Sequence, residues 1–295
     1  MKALRSEAAI PITSLLKATA EALAAAGIAA CEFEAKVLLA HVLDTSPGRL
    51  AAADHEVSPL DARSLNHLVA LRSRHMPLNY VLRSAEFMGL RFRSEARALS
   101  PRPETELLAE IVIERMHQGG SVSGLLVDVG CGCGVLGLSV IHQFPNLTLL
   151  GSDIAVAALQ LYAENAGLLG LAERAHAIAG SYLDWLGAEG AQAVRYLLSN
   201  PPYVRPADYE ALQPEIVRYE PRVALVSPSR DGLGAYREIA ARLPDLAGLR
   251  LAGFEIGYDQ AQVAAILRQA RPDMQWTVHE DYAGQPRVVI GEANG

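Results

Sequence analysis

Residues able to do chemistry concentrate in a few short stretches. The first is Asp128-Val129-Gly130-Cys131-Gly132-Cys133-Gly134, which follows an apolar run. Glycines let a turn tighten and let a ligand lie against bare backbone, while the helix expected next aims its N-terminus at that ligand. The dinucleotide fingerprint needs Gly or Ala at its sixth position, and Val135 stands there instead. A GxGxG turn behind an acidic residue suits S-adenosylmethionine, which has no pyrophosphate to cradle. Asp153 closes the next strand-like segment. A carboxylate there accepts hydrogen bonds from both ribose hydroxyls of an adenosine ligand. The same position also serves as an N-cap for a helix from Ala155.

The most informative stretch is Ser199-Asn200-Pro201-Pro202-Tyr203. A carboxamide beside two prolines makes a rigid, acceptor-rich corner, because proline offers a carbonyl without a competing N–H. A planar –NH2 group can donate one hydrogen to the Asn200 side-chain oxygen and the other to the Pro201 carbonyl, with the Tyr203 ring stacked on it. Such a nitrogen is a poor nucleophile. Gripping both hydrogens favours a pyramidal nitrogen with its lone pair aimed at a sulfonium methyl, so alignment supplies much of the catalysis. The expected chemistry is methyl transfer to a planar nitrogen.

These stretches need elements to hold them. Residues 1–78 read as a small helical bundle. Leu16, Ala20, Leu23 and Ala26 recur at helical spacing before Gly27, Val37, Leu38 and Val42 share a face, and Ser58-Pro59 opens a helix with Leu65, Leu68 and Val69 inward. Residues 79–100 read as a β-hairpin linker built from Tyr80-Val81-Leu82 and the Phe87–Phe92 segment. Residues 101–295 alternate strand and helix. A helix over 104–118 precedes strands at 125–129, 148–153, 196–199 and 251–256, and segments at 276–279 and 287–290 are spaced as an antiparallel hairpin. That texture predicts an α/β, Rossmann-like domain: a mostly parallel sheet with helices on both faces.

Composition excludes several classes. With 51% hydrophobic and 20% charged residues, the chain has material for packed cores and is not a disordered protein. Its net charge of −7 and lack of a basic run disfavour stable nucleic-acid binding. The first 97 residues carry 12 basic and 10 acidic side chains and the remainder 14 and 23, so the helical part is the side better suited to an anionic partner. Cys31, Cys131 and Cys133 form no disulfide framework, and an odd count fits a reducing, cytoplasmic setting. Cys131 and Cys133, with the scattered histidines (His41, His55, His67, His75, His117, His142, His176 and His279), give no four-ligand metal site and no hydrolase pairing, so no metal is expected. Lys2, Arg5 and Glu7 do not flank a signal-peptide core, and the uncharged stretch 129–152 is broken by five glycines and Pro145, so no membrane segment is expected.

The chain resembles the HemK-type release factor glutamine methyltransferases. Pro101-Arg102-Pro103-Glu104-Thr105-Glu106 is similar to that family's linker motif. The glycine turn, Asp153, Asp184-Trp185, Asn200-Pro201-Pro202-Tyr203, Glu220-Pro221, Asp231-Gly232-Leu233, Tyr236-Arg237, Glu255-Ile256-Gly257, Gln260 and Arg287-Val288 follow in the family's order. The resemblance implies a Rossmann-like methyltransferase domain behind a helical substrate-contact domain. It implies transfer of a methyl group from S-adenosylmethionine, leaving S-adenosylhomocysteine, to the glutamine amide of the Gly-Gly-Gln motif in peptide chain release factors. The protein is expected to be a monomer. The resemblance assigns the cofactor to Gly130, Cys131, Gly132, Cys133, Gly134, Asp153, Trp185 and Asn200, with Trp185 flanking the adenine or serving as a core residue. Substrate falls to Asn200, Pro201, Pro202 and Tyr203, of which Asn200, Pro201 and Tyr203 are the expected catalytic set. Cys133 stands where the family commonly has Ser or Thr, and Arg83 where glycine is usual. The alternatives are an amino-methyltransferase on DNA adenine N6 or on a small-molecule amide or amine, and a non-catalytic cofactor binder.

Overall fold

The computed structural model describes residues 9–50 and 56–294. Lys2, Arg5, Glu7 and His55 lie outside them. The chain divides into two compact units, Met1–Arg83 with Pro214–Tyr219, and Ser84–Gln213 with Glu220–Gly295.

The first unit holds β1 (Ile10–Pro11), α1 (Ile12–Ala25), α2 (Cys31–Val42), α3 (Pro47–Leu50), β2 (Glu56–Val57), α4 (Pro59–Arg72) and α5 (Leu78–Leu82). Gly27, at φ 81°, ends α1 with the expected left-handed cap: its N–H donates to Ala24 and that of Ile28 to Leu23. The apolar stripe of α1 is turned by one residue from the expected one. Ile12, Leu15, Thr19 and Leu23 are buried, while Leu16, Ala20 and Ala26 sit at the margin. In an alanine-rich helix adjacent faces differ little in apolar area, and Ile12 and Leu15 tip the balance. The Ser58 hydroxyl caps α4 by accepting from the Asp61 N–H, with Pro59 at the first helical position. Tyr80-Val81-Leu82, expected as extended chain, lies in the short helix α5. A three-residue apolar run carries no period to separate the two. Arg83 caps α5 in the left-handed region at φ 55°, a conformation that glycine adopts without strain.

The second unit begins with the hairpin β3 (Ser84–Phe87) and β4 (Leu90–Arg93), closed by Met88 and Gly89, both at positive φ. Then come α6 (Pro103–Gln118), β5 (Gly124–Val129), α7 (Val135–Gln143), β6 (Leu147–Asp153), α8 (Val156–Leu168), β7 (Ala175–Ala179), α9 (Ala188–Ala193) and β8 (Val194–Ser199). The short helix α10 (Pro214–Tyr219) belongs to the first unit, where its Glu215 accepts from the buried Arg72 guanidinium (2.7 Å), which also holds Glu34 (2.6 Å). The second unit resumes with α11 (Gly234–Arg242), β9 (Leu251–Glu255), α12 (Val263–Ala270), β10 (Met274–Glu280) and β11 (Pro286–Ala293).

These strands form one seven-stranded sheet in the order β10-β11-β9-β8-β5-β6-β7. β5 to β9 run parallel, whereas β11 is antiparallel to β9 and pairs with β10 as the expected closing hairpin. Alternation along β5 explains the two layers. Leu126 enters the core beneath α6, α7 and α8, while Val127 and Val129 enter the opposite core with α11 and α12. β7 carries no sequence signal, because Ala175-His176-Ala177-Ile178-Ala179 is alanine-rich and mostly exposed at the sheet edge. Strand order reverses between β5 and β8, and a crevice opens beyond their carboxyl ends, where open α/β sheets bind ligands. Val129 pairs with Ser199, which sets the start of the glycine turn beside Asn200.

Candidate active site

A cavity of 340 Å³ occupies that crevice. The glycine turn forms its floor. Gly130, Gly132 and Gly134 adopt φ 71°, 53° and 88°, so the alternating glycines answer a real backbone demand. The N–H groups of Gly130 and Cys131 both donate to the Ser152 carbonyl, at 2.8 and 2.9 Å, tying the turn to the end of β6. Gly134 is spent on packing. A Cβ there would lie 2.6 Å from Leu138 and 2.7 Å from Tyr162, and the residue stands behind the wall.

Asp153 combines both of the roles its position allows. Its Oδ1 accepts from the Ala155 N–H at 2.8 Å, the capping bond, and its Oδ2 accepts from the Gly132 N–H at 3.0 Å. Each oxygen retains acceptor capacity, and the residue lines the cavity. Burial raises its carboxyl, against the pull of the Ala155 and Gly132 N–H groups. Asp128 also lines the cavity, and its Oδ2 accepts from Gly137 at 3.0 Å. Burial pushes Asp128 up to about 7, the Gly137 bond opposes the rise, and the charge of Asp153 adds to it. Cys131 and Cys133 line the cavity as buried thiols, and burial pushes Cys133 up to about 12. Thiols so held stay protonated and act as small apolar side chains.

The opposite wall is the amide corner. Asn200 Nδ2 donates to Thr105 Oγ1 at 3.1 Å, and Thr105 Oγ1 donates to Glu255 Oε2 at 2.6 Å. With Nδ2 turned to Thr105, the side-chain oxygen is the end of the carboxamide turned away from α6, on a residue that lines the cavity. Pro202 lines the cavity too. The buried Pro201 ring and the Tyr203 side chain stand behind these two. The Tyr203 ring packs on the α11–α12 core, its hydroxyl donates to Glu255 Oε1 at 3.4 Å, and its carbonyl accepts from Gln260. Burial, joined by the Glu255 charge, raises its phenol. Trp185 is also behind the wall. It packs over Gly180, where an added Cβ would meet the indole at 2.6 Å, and its Nε1 donates to the Tyr182 carbonyl. Tyr182, at φ 44°, reaches the cavity in its place. Nothing in the spacing singles out Tyr182.

Arg102 and Glu220 secure the remaining side. Nη2 of Arg102 donates to both carboxylate oxygens of Glu220, at 2.8 and 2.9 Å, and the Glu220 side chain is wholly inaccessible. This pair pins the start of the segment whose Pro221, Val223 and Ala224 line the cavity mouth. Thr105 and Glu255 stand in recognisable sequence segments, yet the Asn200–Thr105 and Thr105–Glu255 bonds bridge 95 and 150 residues, and local pattern gives no sign of them.

A parallel sheet in this order, with a glycine turn and a carboxylate at the switch point, defines the class: a Rossmann-like methyltransferase fold. Residues 14–82 match the PrmC N-terminal domain family, and residues 103–222 match the Methyltransferase small domain family. The release factor glutamine methyltransferase of Rhodospirillum rubrum is 34% identical over 96% of this chain and 86% of its own length. That of Moorella thermoacetica is 37% identical over 91% and 93%. The solved structure of a human methyltransferase 10 domain containing protein superposes with a TM-score of 0.50, at 15% identity, over 78% of this chain and 98% of that one, a likeness of fold alone. The chain belongs to the release factor glutamine methyltransferase family.

Proposed function

We propose that this enzyme transfers a methyl group from S-adenosylmethionine to the glutamine side-chain amide in the Gly-Gly-Gln motif of a peptide chain release factor. The residues present fit that cofactor. A 340 Å³ cavity is within the ~300–1,000 Å³ range of small-molecule sites. Its floor is backbone at positive φ, and the carboxylates of Asp128 and Asp153 suit a ligand bearing cationic groups. Gly130 to Cys133 and Asp153 would hold it. When bound, it supplies an electrophilic methyl carbon on a sulfonium.

The remaining work falls to the chain's own groups. Asn200 presents an acceptor oxygen to one N–H of the incoming amide, and the Pro201 carbonyl takes the other. The rigid double proline keeps the two acceptors at a fixed separation. Once methylated, the neutral amide nitrogen would be cationic and strongly acidic and would lose its proton to solvent, so the corner needs to align the nitrogen and not to deprotonate it first. Tyr203, held back by Glu255, buttresses the corner from behind.

The observation that carries this reading is the Asn200 carboxamide held by its nitrogen, on the wall of the cavity that the glycine turn floors. The test incubates purified protein with S-adenosylmethionine and a release factor and examines the Gly-Gly-Gln peptide by mass spectrometry. One added methyl group on glutamine is expected. Methyl transfer to DNA, with none to release factor, refutes the assignment.

A further inference from the structure

Asn200 can serve as an acceptor only if its carboxamide faces the right way, and flipping it would present N–H groups to the cavity instead. Three contacts decide the matter. Thr105, 4% exposed on α6, has a single hydroxyl proton and gives it to Glu255 Oε2 at 2.6 Å. A hydroxyl whose proton is spent must accept from its other neighbour, and that neighbour is Asn200 Nδ2 at 3.1 Å. Glu255, 1% exposed at the end of β9, therefore sets the polarity of the whole chain of bonds, and its second oxygen takes the Tyr203 hydroxyl.

We propose that Thr105 and Glu255 are positioning residues for the methyl acceptor: an ionised Glu255, acting through the Thr105 hydroxyl, fixes the Asn200 carboxamide with its oxygen toward the cavity. This rests on the Asn200 role given above. The relay also carries a pH dependence. Burial pushes Glu255 up to about 7, although Thr105, Arg287 on β11 and Tyr203 pull it down, and Glu104 on α6 adds to the rise. Tyr236 of α11 also faces it, donating to its backbone carbonyl at 2.8 Å. Once the carboxyl is protonated, its O–H can donate to Thr105 Oγ1. The Thr105 proton is then released toward Asn200, and the amide loses its preference for presenting oxygen.

The test uses the full-length protein, a purified release factor and S-adenosylmethionine, and compares Thr105→Val, Thr105→Ser, Glu255→Gln and Asn200→Ala. Misplacement of a reacting group by a fraction of its contact distance costs about tenfold to a hundredfold, so Thr105→Val should lower kcat by that factor while KM stays within about threefold. Thr105→Ser, which keeps the hydroxyl, should restore kcat to within about threefold of the wild type. Glu255→Gln should match Thr105→Val and lose the acid limb of the kcat profile near pH 7. Cofactor binding measured on each variant separates a positioning defect from a folding defect. A Thr105→Val enzyme with wild-type kcat and an unchanged pH profile, alongside an inactive Asn200→Ala, overturns the relay and leaves the amide corner standing. A Thr105→Ser enzyme as impaired as Thr105→Val also overturns it. An active Asn200→Ala sinks the amide corner itself.

Discussion

Replacing Asp153 by alanine removes two things at once, and their sizes can be separated. In the protein alone, the Gly132 and Ala155 N–H groups lose their acceptors, at 3.0 and 2.8 Å. Loss of a capping acceptor costs about 1 kcal/mol, so the pair costs roughly 2 kcal/mol, part of it returned because a carboxylate disfavoured by burial is gone. In the complex, the ribose hydroxyls lose a charged acceptor. Hydrogen bonds to charged groups contribute about 1.5 kcal/mol or more each, so two give about 3 kcal/mol, equivalent to roughly 150-fold in Kd. Isothermal titration with S-adenosylmethionine measures the second quantity, and thermal unfolding without it measures the first. The expected Asp153→Ala protein unfolds a few degrees lower and binds cofactor about two orders of magnitude more weakly. Asp153→Asn keeps an oxygen for Ala155 but turns an –NH2 toward the Gly132 N–H, so its affinity should fall nearly as far with a smaller loss of stability. A Kd for Asp153→Ala within about threefold of the wild type would refute the ribose assignment and leave Asp153 as a cap.

Two further outcomes follow from the packing around the turn. The Asp128 carboxyl, pushed up to about 7 by burial, binds its proton more tightly folded than unfolded. Its contribution to stability is full below about pH 4 and is lost as pH rises through 7; Asp128→Asn, which can still accept from Gly137, should flatten that decline in denaturant melts between pH 5 and 8, and an unaltered slope counts against it. Gly137→Ala would place a methyl carbon 2.8 Å from both Asp128 Oδ2 and Leu149, whereas Gly167 in α8 has nothing within 4 Å of the added carbon. Urea titration should show the first variant destabilised by about 1–3 kcal/mol and Gly167→Ala neutral or stabilised by up to about 1 kcal/mol; equal midpoints would contradict the close packing of α7 on β5 and β6.

What the sequence reveals here is whatever is local. The strands β5, β6, β8 and β9, the helix α6, the closing hairpin and the cap at Ser58 each announce themselves within a dozen residues, through period, punctuation or a capping side chain. Elements without such marks go unread. β7 offers alanines and an exposed histidine, and α5 is a single apolar turn that fits helix and strand alike. The stripe of α1 shifts by one residue for the same reason, since alanine gives its faces nearly equal weight. Arg83 is a different case. It occupies a left-handed position that glycine adopts without strain, and the backbone keeps the conformation although the side chain disfavours it.

The site divides along the same line, and the division says something about how such a corner works. Asn200 and the double proline are legible because a dipeptide of prolines is rare and its consequences are stereochemical. Local stereochemistry delivers an asparagine to the cavity, but it does not settle which end of a nearly symmetric carboxamide faces inward. That choice takes a donor–acceptor sequence whose polarity is set from elsewhere. Here it comes from Thr105, 95 residues before Asn200, and from Glu255, 150 residues beyond Thr105. Tyr203 illustrates the same rule. Its place beside Asn200 suggests a stacking platform, yet its hydroxyl is drawn 52 residues along the chain to the same carboxylate, which turns the ring into a support behind the wall. A buried acid that organises three side chains costs desolvation energy, visible in its raised titration point. A chain that needed only a cofactor-binding pocket would gain from an apolar residue at 255. The retained charge is intelligible if an oriented acceptor is what the site must present.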